Sequence, residues 1–339
     1  MQEREISGAL AAVMKRISGQ PGNIAHLERL SGGATKRTWA FEYHTDCNVS
    51  KLILQQSEQR SQTYNRSSGA DAPRPPKLTA REDAQLMILA GSCGIPTPRV
   101  RAVLEADDHL GAGYITDRID GETRGKRIVH EEQYSGARKA MGRQCGEILA
   151  RIHAIPVEQA PFLTELSPAL ELKTYGNLVR ELGVQHSALE YALRWIEERL
   201  PMDWKRSVVH SDFRTGNLIV GPDGVRCVLD WEIARVGDPM QDLGVLCMHT
   251  WRFGGAGECG GFASREDLFT AYEATSGLRI DPDRVRFWEA FSNLKWAIGC
   301  LRKGLAGRER AASASVEACV IGRRFEEPMW DFFEVIREA

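Results

Sequence analysis

The stretch that most restricts the fold is VVHSDFRTGNLIVGPDGVRCVLDWEIARVGDP, residues 208–239. Apolar Leu218–Val220 and Val225–Val228 flank Pro222-Asp223-Gly224, the composition of a tight turn between two short antiparallel strands. Such a hairpin returns Asp230 to within a residue or two of the level of Asn217. At about 3.3 Å per residue, the two side chains can then share one ion. A hard divalent cation such as Mg²⁺ takes oxygen from one or two carboxylates, an amide and phosphate groups, so Asn217 and Asp230 are the candidate metal ligands. Asp212, five residues before Asn217, lies beside that ion and is the candidate catalytic base for a substrate hydroxyl.

The order of these groups is that of a phosphoryl-transfer site: an acid on a loop, an amide shortly after it, then an acid beyond a hairpin. His210 reads as a structural histidine that fixes the loop. Asp238 before Pro239 reads as a helix N-cap, with Asp242 in the first turn, where a carboxylate suits the helix dipole. A metal-dependent hydrolase built on His210-Ser211-Asp212 and Asp230-Trp231-Glu232 is the weaker reading. Such sites recruit further histidines, and His153, His186 and His249 each stand alone.

The rest of the chain divides by pattern. Ile6, Leu10, Val13, Met14 and Ile17 recur at helical spacing, and Gly19 and Pro21 end that helix. Short apolar runs at Leu27–Leu30, Thr38–Tyr43 and Leu52–Leu54 suggest an antiparallel meander. Residues 57–77, rich in Ser, Arg, Gly and Pro, read as a mobile loop. Thr79 then opens a helix with Ala84, Met87 and Ile88 facing inward, and RAVLEADDHLGAGYITDRI reads as two more strands. Beyond His130 the pattern turns to long helices, among them Ala137–His153 and Ser187–Leu200. The fold class expected is α+β in two lobes: a small, β-rich N-terminal lobe over 1–118 and a helical lobe over 119–339 carrying the hairpin 208–232.

At 339 residues, 42% hydrophobic and with a formal charge of −2, the chain can bury a sizeable core and offers no global field for nucleic acid. No window has the ~18 apolar residues of a membrane helix, and no secretory leader is seen, so the protein is expected to be cytoplasmic, with no membrane partner. Eight scattered cysteines show no metal-ligand spacing and read as buried thiols. A monomer or weak homodimer is expected.

HSDFRTGNLIV…VLDWEIARVGDPMQDLG resembles the catalytic-loop and metal-binding motif of the aminoglycoside phosphotransferase and choline kinase superfamily, whose fold is like that of protein kinases. The resemblance extends through LSGGATKRTWAF, GIPTPRV, GYITDRIDGET and GEILARIHAIP. It is closest to the branch also found fused to acyl-CoA dehydrogenases, whose characterised members phosphorylate hydroxyacyl-CoA substrates. It implies ATP as co-substrate, Asp212 as base, Asn217 and Asp230 on Mg²⁺ with Glu232 assisting, and Asp242 as the acid that braces the catalytic loop.

It also implies that Ser31, Gly32, Gly33 and Ala34 cover the nucleotide phosphates, that Thr116, Asp117 and Ile119 form the hinge to adenine, and that Glu82, on the helix after residues 57–77, takes the place of the kinase helix glutamate. One departure stands out. The family carries Lys or Arg on the third strand, and here Gln55 occupies that position, so Lys36, Arg37 or Lys51 substitutes or nucleotide affinity falls. The acceptor implied is a small-molecule hydroxyl. The C-terminal region, with bases and acids nearly balanced, favours a hydroxyacyl-CoA or other alcohol over a polycationic aminoglycoside. A pseudokinase without turnover is the reading from another class.

Overall fold

In the computed structural model, residues 3–30, 36–57, 77–309 and 316–337 are described. The first helix, α1 (Glu3–Ser18), places Ile6, Leu10, Val13 and Met14 on one buried stripe, with acids in its first turn and Lys15 and Arg16 in its last. Ile17, expected on the same stripe, is exposed at the fraying end. The stripe covers one face of an antiparallel sheet of β1 (Asn23–Leu30), β2 (Lys36–His44), β3 (Val49–Ser57), β4 (Val100–Val103) and β5 (Gly113–Asp117), in the order β1-β2-β3-β5-β4. Trp39, Phe41, Tyr43, Leu52, Leu54 and Ile115 meet α1 there, each fully buried apolar side chain contributing about 1.5–3 kcal/mol.

Alternation along the same strands puts Lys36, Thr38, Gln55, Tyr114 and Thr116 on the opposite face, because directly paired residues share a face. Helix α2 (Ala80–Ser92) buries Ala80, Asp83, Ala84, Leu86, Met87 and Ala90. Ile88, expected to face inward, is 54% exposed, since it falls outside the stripe set by 80, 83, 84, 87 and 90. The expected mobile loop lies, apart from its end residues Ser57 and Lys77, outside the described residues.

The sheet and α1–α2 form one compact unit, through Asp120, and a second begins at Gly121. The second contains helices α3 (Gly125–His130), α4 (Ser135–His153), α5 (Pro168–Leu182), α6 (Ser187–Glu197), α7 (Met240–Cys247), α8 (Arg265–Ser276), α9 (Pro282–Glu309), α10 (Val316–Arg323) and α11 (Glu326–Arg337). Two hairpin-sized sheets lie among them: β6 (Ser207–Val209) with β9 (Arg235–Gly237), and β7 (Leu218–Gly221) with β8 (Gly224–Val228). Helix contacts are close where glycine stands. A Cβ on Gly146 of α4 would lie 2.5 Å from the Leu268 carbonyl of α8, and one on Gly244 of α7 would lie 2.7 Å from the Glu289 nitrogen of α9. This is an α+β, protein-kinase-like fold with a small antiparallel β unit and a larger helical one. No helix among the described residues is long and apolar enough to cross a membrane.

Glu122 ties the start of the second unit to β7. Its backbone exchanges two 2.9 Å hydrogen bonds with Val220, and its carboxylate accepts from Arg124 at 3.1 Å and pairs with Arg127 at 2.5 Å. Burial alone would raise this carboxyl. The Arg124 hydrogen bonds and the charges of Arg124 and Arg127 outweigh it and bring the group from 4.5 to about 2. A folded value below the unfolded one means stability fully present above about pH 4.5 and lost as pH falls toward 2. Glu122→Gln should therefore lower the urea midpoint at pH 7 and flatten its acid dependence between pH 4.5 and 2. Urea titrations at stepped pH check this, and parallel curves for the two proteins would refute it.

Candidate active site

The loop between β6 and β7 is fixed from beneath by a buried carboxylate. Asp242 lies in the first turn of α7, is fully buried, and accepts the His210 N–H at 2.7 Å on Oδ2 and the Ser211 N–H at 2.6 Å on Oδ1. Its Oδ2 also lies 3.1 Å from Nε2 of His153, whose Nδ1 is 2.9 Å from the Tyr272 hydroxyl. Burial by itself would raise the Asp242 carboxyl. The His153 hydrogen bond and charge, with His210, more than offset it and hold the group below the usual carboxylate range. With these two amides anchored, Ser211 adopts φ 72°, a left-handed conformation unusual for a residue with a side chain.

His210 is fully buried against Phe213 and Trp231, with Nε2 3.0 Å from the Leu229 carbonyl and Nδ1 accepting the Asp212 N–H at 3.3 Å. Both ring nitrogens are thereby engaged, so it fastens the loop to the hairpin. Asp238 caps differently from expectation. Pro239 is the N-cap of α7, and Asp238, one residue earlier, accepts the Met240 N–H at 3.0 Å and the Trp288 indole N–H at 2.8 Å.

Asp212 is three-quarters buried, and both its oxygens are oriented. Oδ1 accepts Arg214 Nε at 2.9 Å and Oδ2 accepts Asn217 Nδ2 at 2.7 Å. Asn217 Nδ2 also reaches the Asp212 carbonyl at 2.9 Å, so Oδ1 is the atom this amide can offer a cation. The hairpin closes as its sequence requires: Leu218 pairs with Val228, and the Leu229 N–H reaches the Asn217 carbonyl at 2.8 Å. Asp230 comes next, exposed and left-handed at φ 65°, with half-buried Glu232 two residues on.

Among the described residues no group of three or more His, Cys, Asp or Glu is placed to hold a metal unaided. The donor set is one amide oxygen and one exposed carboxylate. It suits Mg²⁺, which fills its remaining positions with water and phosphate, better than a closed structural zinc.

Two further residues join this loop to an aromatic wall that sequence reasoning did not connect with it. The Arg214 guanidinium lies 4.3 Å from the Trp251 ring centroid while its Nε holds Asp212. The Thr215 hydroxyl donates to the Gly260 carbonyl at 2.8 Å and to that of Trp251 at 3.3 Å. Trp251 packs beside Phe253 and Trp296 and lines a cavity of about 690 Å³ together with His249, Arg324, Trp330 and Asp331. Its carboxylates are partly paired: Asp331 with His249 at 3.3 Å and Thr250 at 3.3 Å, and Glu327 with Arg324 at 2.7 Å.

In the first unit the sequence expectations meet different neighbours. Ser31, Gly32, Gly33 and Ala34 lie outside the described residues. Glu82 closes a capping box instead of facing the sheet, accepting the Thr79 N–H at 2.8 Å while its own N–H reaches the Thr79 hydroxyl at 3.3 Å. The acid buried beside the sheet is its neighbour Asp83, whose Oδ2 accepts Lys36 Nζ at 2.7 Å and the Tyr114 hydroxyl at 2.8 Å. The Gln55 side-chain amide lies against that same Tyr114 hydroxyl. Burial, and then the Asp83 charge, push the Tyr114 phenol well above its usual range. Thr116 is buried in β5. Asp117 holds Arg101 with two hydrogen bonds of 2.6 and 3.0 Å, and the Asp117 and Arg118 N–H groups go to the Arg99 and Lys51 carbonyls. Ile119, half-buried, follows them.

Comparison with known proteins agrees with this geometry. Residues 26–288 match the family model described as the phosphotransferase enzyme family, APH. Mouse acyl-CoA dehydrogenase family member 10 is 25% identical over 297 residues and human member 11 is 29% identical over 306. These alignments cover 78% and 80% of this chain, which spans only 27% and 37% of those proteins' own lengths. Among solved structures, a candidate aminoglycoside phosphotransferase of Ralstonia eutropha JMP134 superimposes with a TM-score of 0.74 at 19% identity, over 98% of both chains. Choline kinase from Streptococcus pneumoniae gives 0.59 at 15%, over 97% of this chain and all of the other. The match spans most of the chain, including the loop, the hairpin and the brace from α7: the protein belongs to the phosphotransferase enzyme family.

Proposed function

We propose that the protein is an ATP- and Mg²⁺-dependent phosphotransferase that moves the γ-phosphate to the hydroxyl of a small molecule. The observation that carries the reading is Asp212, held by Arg214 and Asn217 on a loop whose backbone is anchored to Asp242, with the hairpin returning Leu229, the residue before Asp230, to the Asn217 carbonyl. Asp212 orients the acceptor hydroxyl and takes its proton, while Asn217 and Asp230 hold the cation. Mg²⁺, when bound, neutralises charge on the phosphates. The solved structure of a spectinomycin phosphotransferase with ADP and spectinomycin, sharing this fold at 14% identity, supports a nucleotide co-substrate.

The acceptor class is read from the cavity lined by Trp251, whose ring packs against the Arg214 that holds Asp212. Its wall combines Trp251, Phe253 and Trp330 with three acids, of which Asp331 contacts His249 and Thr250, Glu327 pairs with Arg324, and Glu326 lines the cavity beside them. Its three aromatic rings offer an apolar face on which a hydroxylated acyl chain can lie. The likeness to acyl-CoA dehydrogenase family members 10 and 11 supports the same choice. Parallel phosphate-transfer assays with 3- and 4-hydroxyacyl-CoAs and with kanamycin-type aminoglycosides decide it. Phosphorylation of aminoglycosides alone would reverse the choice, and no transfer to any alcohol by a protein that binds Mg-ATP would favour a pseudokinase.

Asp230→Ala removes the exposed carboxylate from the cation site. It should weaken Mg²⁺-dependent ATP binding and lower the rate with it, whereas binding measured with EDTA should be unaffected. Calorimetric titration with and without Mg²⁺ is the check; an unchanged Mg²⁺ response would remove Asp230 from the ligand set.

A further inference from the structure

Three bases lie close in sequence to the uncharged Gln55, and strand register separates them. Arg37 belongs to the alternate set of β2 that contains Trp39 and Phe41, which puts it on the face opposite Gln55. Lys51 shares the Gln55 face but sits four residues along β3 and is exposed. Lys36 also shares it, paired with Ser57 and therefore diagonal to Gln55, a separation a long side chain spans.

Its ammonium is almost buried, with 11% of the side chain exposed, 2.7 Å from an Asp83 carboxylate that is itself 1% exposed. Tyr114 joins the two positions, its hydroxyl donating to Asp83 Oδ2 while its oxygen also lies against the Gln55 side-chain amide. Asp83 Oδ1, fully buried, has no hydrogen-bond partner among the described residues, so the network is not closed by these groups alone.

We infer that Lys36 replaces the third-strand cation: it contacts the phosphates of the bound nucleotide, and Asp83 is the residue that positions it. The inference rests on the phosphotransferase reading. A Lys on β2 with Asp83 on α2 serves the purpose of a Lys or Arg at position 55 with an acid at position 82. The ammonium approaches the same patch of sheet from the neighbouring strand, and the acid moves by one residue to meet it. This also accounts for Gln55, because a second ammonium beside Lys36 would be repelled and desolvated together with it.

The test uses the full chain and measures affinity for Mg-ATP and for adenosine by titration calorimetry, with thermal unfolding recorded for each variant. Lys36→Met should weaken Mg-ATP about tenfold or more while leaving adenosine affinity unchanged, since the lost charge faces phosphate only. Adding Gln55→Lys to Lys36→Met should restore most of the ATP affinity, whereas Gln55→Lys alone should leave it equal or weaker. Should Lys36→Met fail to fold because Asp83 is left buried and unpaired, Lys36→Met with Asp83→Asn removes both charges and should show the same ATP-selective loss. Unchanged ATP affinity, or equal loss of ATP and adenosine, in either folded variant overturns the inference. So does a folded double variant with Gln55→Lys that recovers nothing. Wild-type protein that binds no Mg-ATP would instead overturn the phosphotransferase reading itself.

Discussion

Asp212→Asn is expected to lower kcat by about 10²–10⁴ and to leave Mg-ATP affinity nearly unchanged. The carboxylate now accepts from Arg214 at one oxygen and Asn217 at the other. An amide can satisfy only one of these donors and must turn its own NH₂ toward the second, so the substitution removes the proton acceptor and loosens its orientation together. Neither loss touches a nucleotide anchor, which is why the rate should fall without the binding. Steady-state kinetics beside a nucleotide titration separates the two, and near-normal turnover would end the assignment of Asp212 as base.

Asp242→Ala should be as damaging by another route. It strips acceptors from two buried backbone N–H groups, His210 and Ser211, and removes the partner of buried His153. Leaving a buried donor without its acceptor typically costs about 1–3 kcal/mol for each group. The left-handed Ser211, held at φ 72° by that acceptor, is then free to relax and carry Asp212 out of place. The urea midpoint and the kcat of the remaining folded protein should both drop. Stability within about 0.5 kcal/mol of wild type, the range of ordinary surface substitutions, would show that Asp242 does not brace the loop.

What the sequence disclosed and what it hid follow from the range of the interactions. The hairpin was legible because Pro222-Asp223-Gly224 and the flanking apolar residues are local signals, and its register follows from turn length. Asp242 was legible in position, since a proline marks the start of its helix. Its partners were not: His153 and Tyr272 are separated in sequence by 119 residues, and each is an isolated polar residue in a helix. The contact goes with close packing of α4 on α8 at Gly146, where a Cβ would meet Leu268 and Tyr272, and no periodicity reports it.

In the first unit the acid turned toward the sheet is Asp83, one residue of helical phase beyond Glu82, and the sequence carries a signal for that phase. Thr79-Ala80-Arg81-Glu82 is itself a capping-box pattern that claims Glu82 for the helix start, leaving Asp83 to the buried face. The Asp238 cap was misplaced for a similar reason, one residue of offset at Pro239. Arg214 and Trp251 had no such signal, because their contact joins two irregular segments.

The buried anchor under the catalytic loop has a thermal consequence. A segment whose amides end on a carboxylate in the core, shared with α4 and α8 through His153 and Tyr272, has no private hinge about which to melt. Its disordering is expected to accompany the unfolding of the helical unit. Loss of activity on heating therefore coincides with loss of the fold, so cavity-filling or capping changes far from Asp212 extend the working temperature as directly as any change beside it.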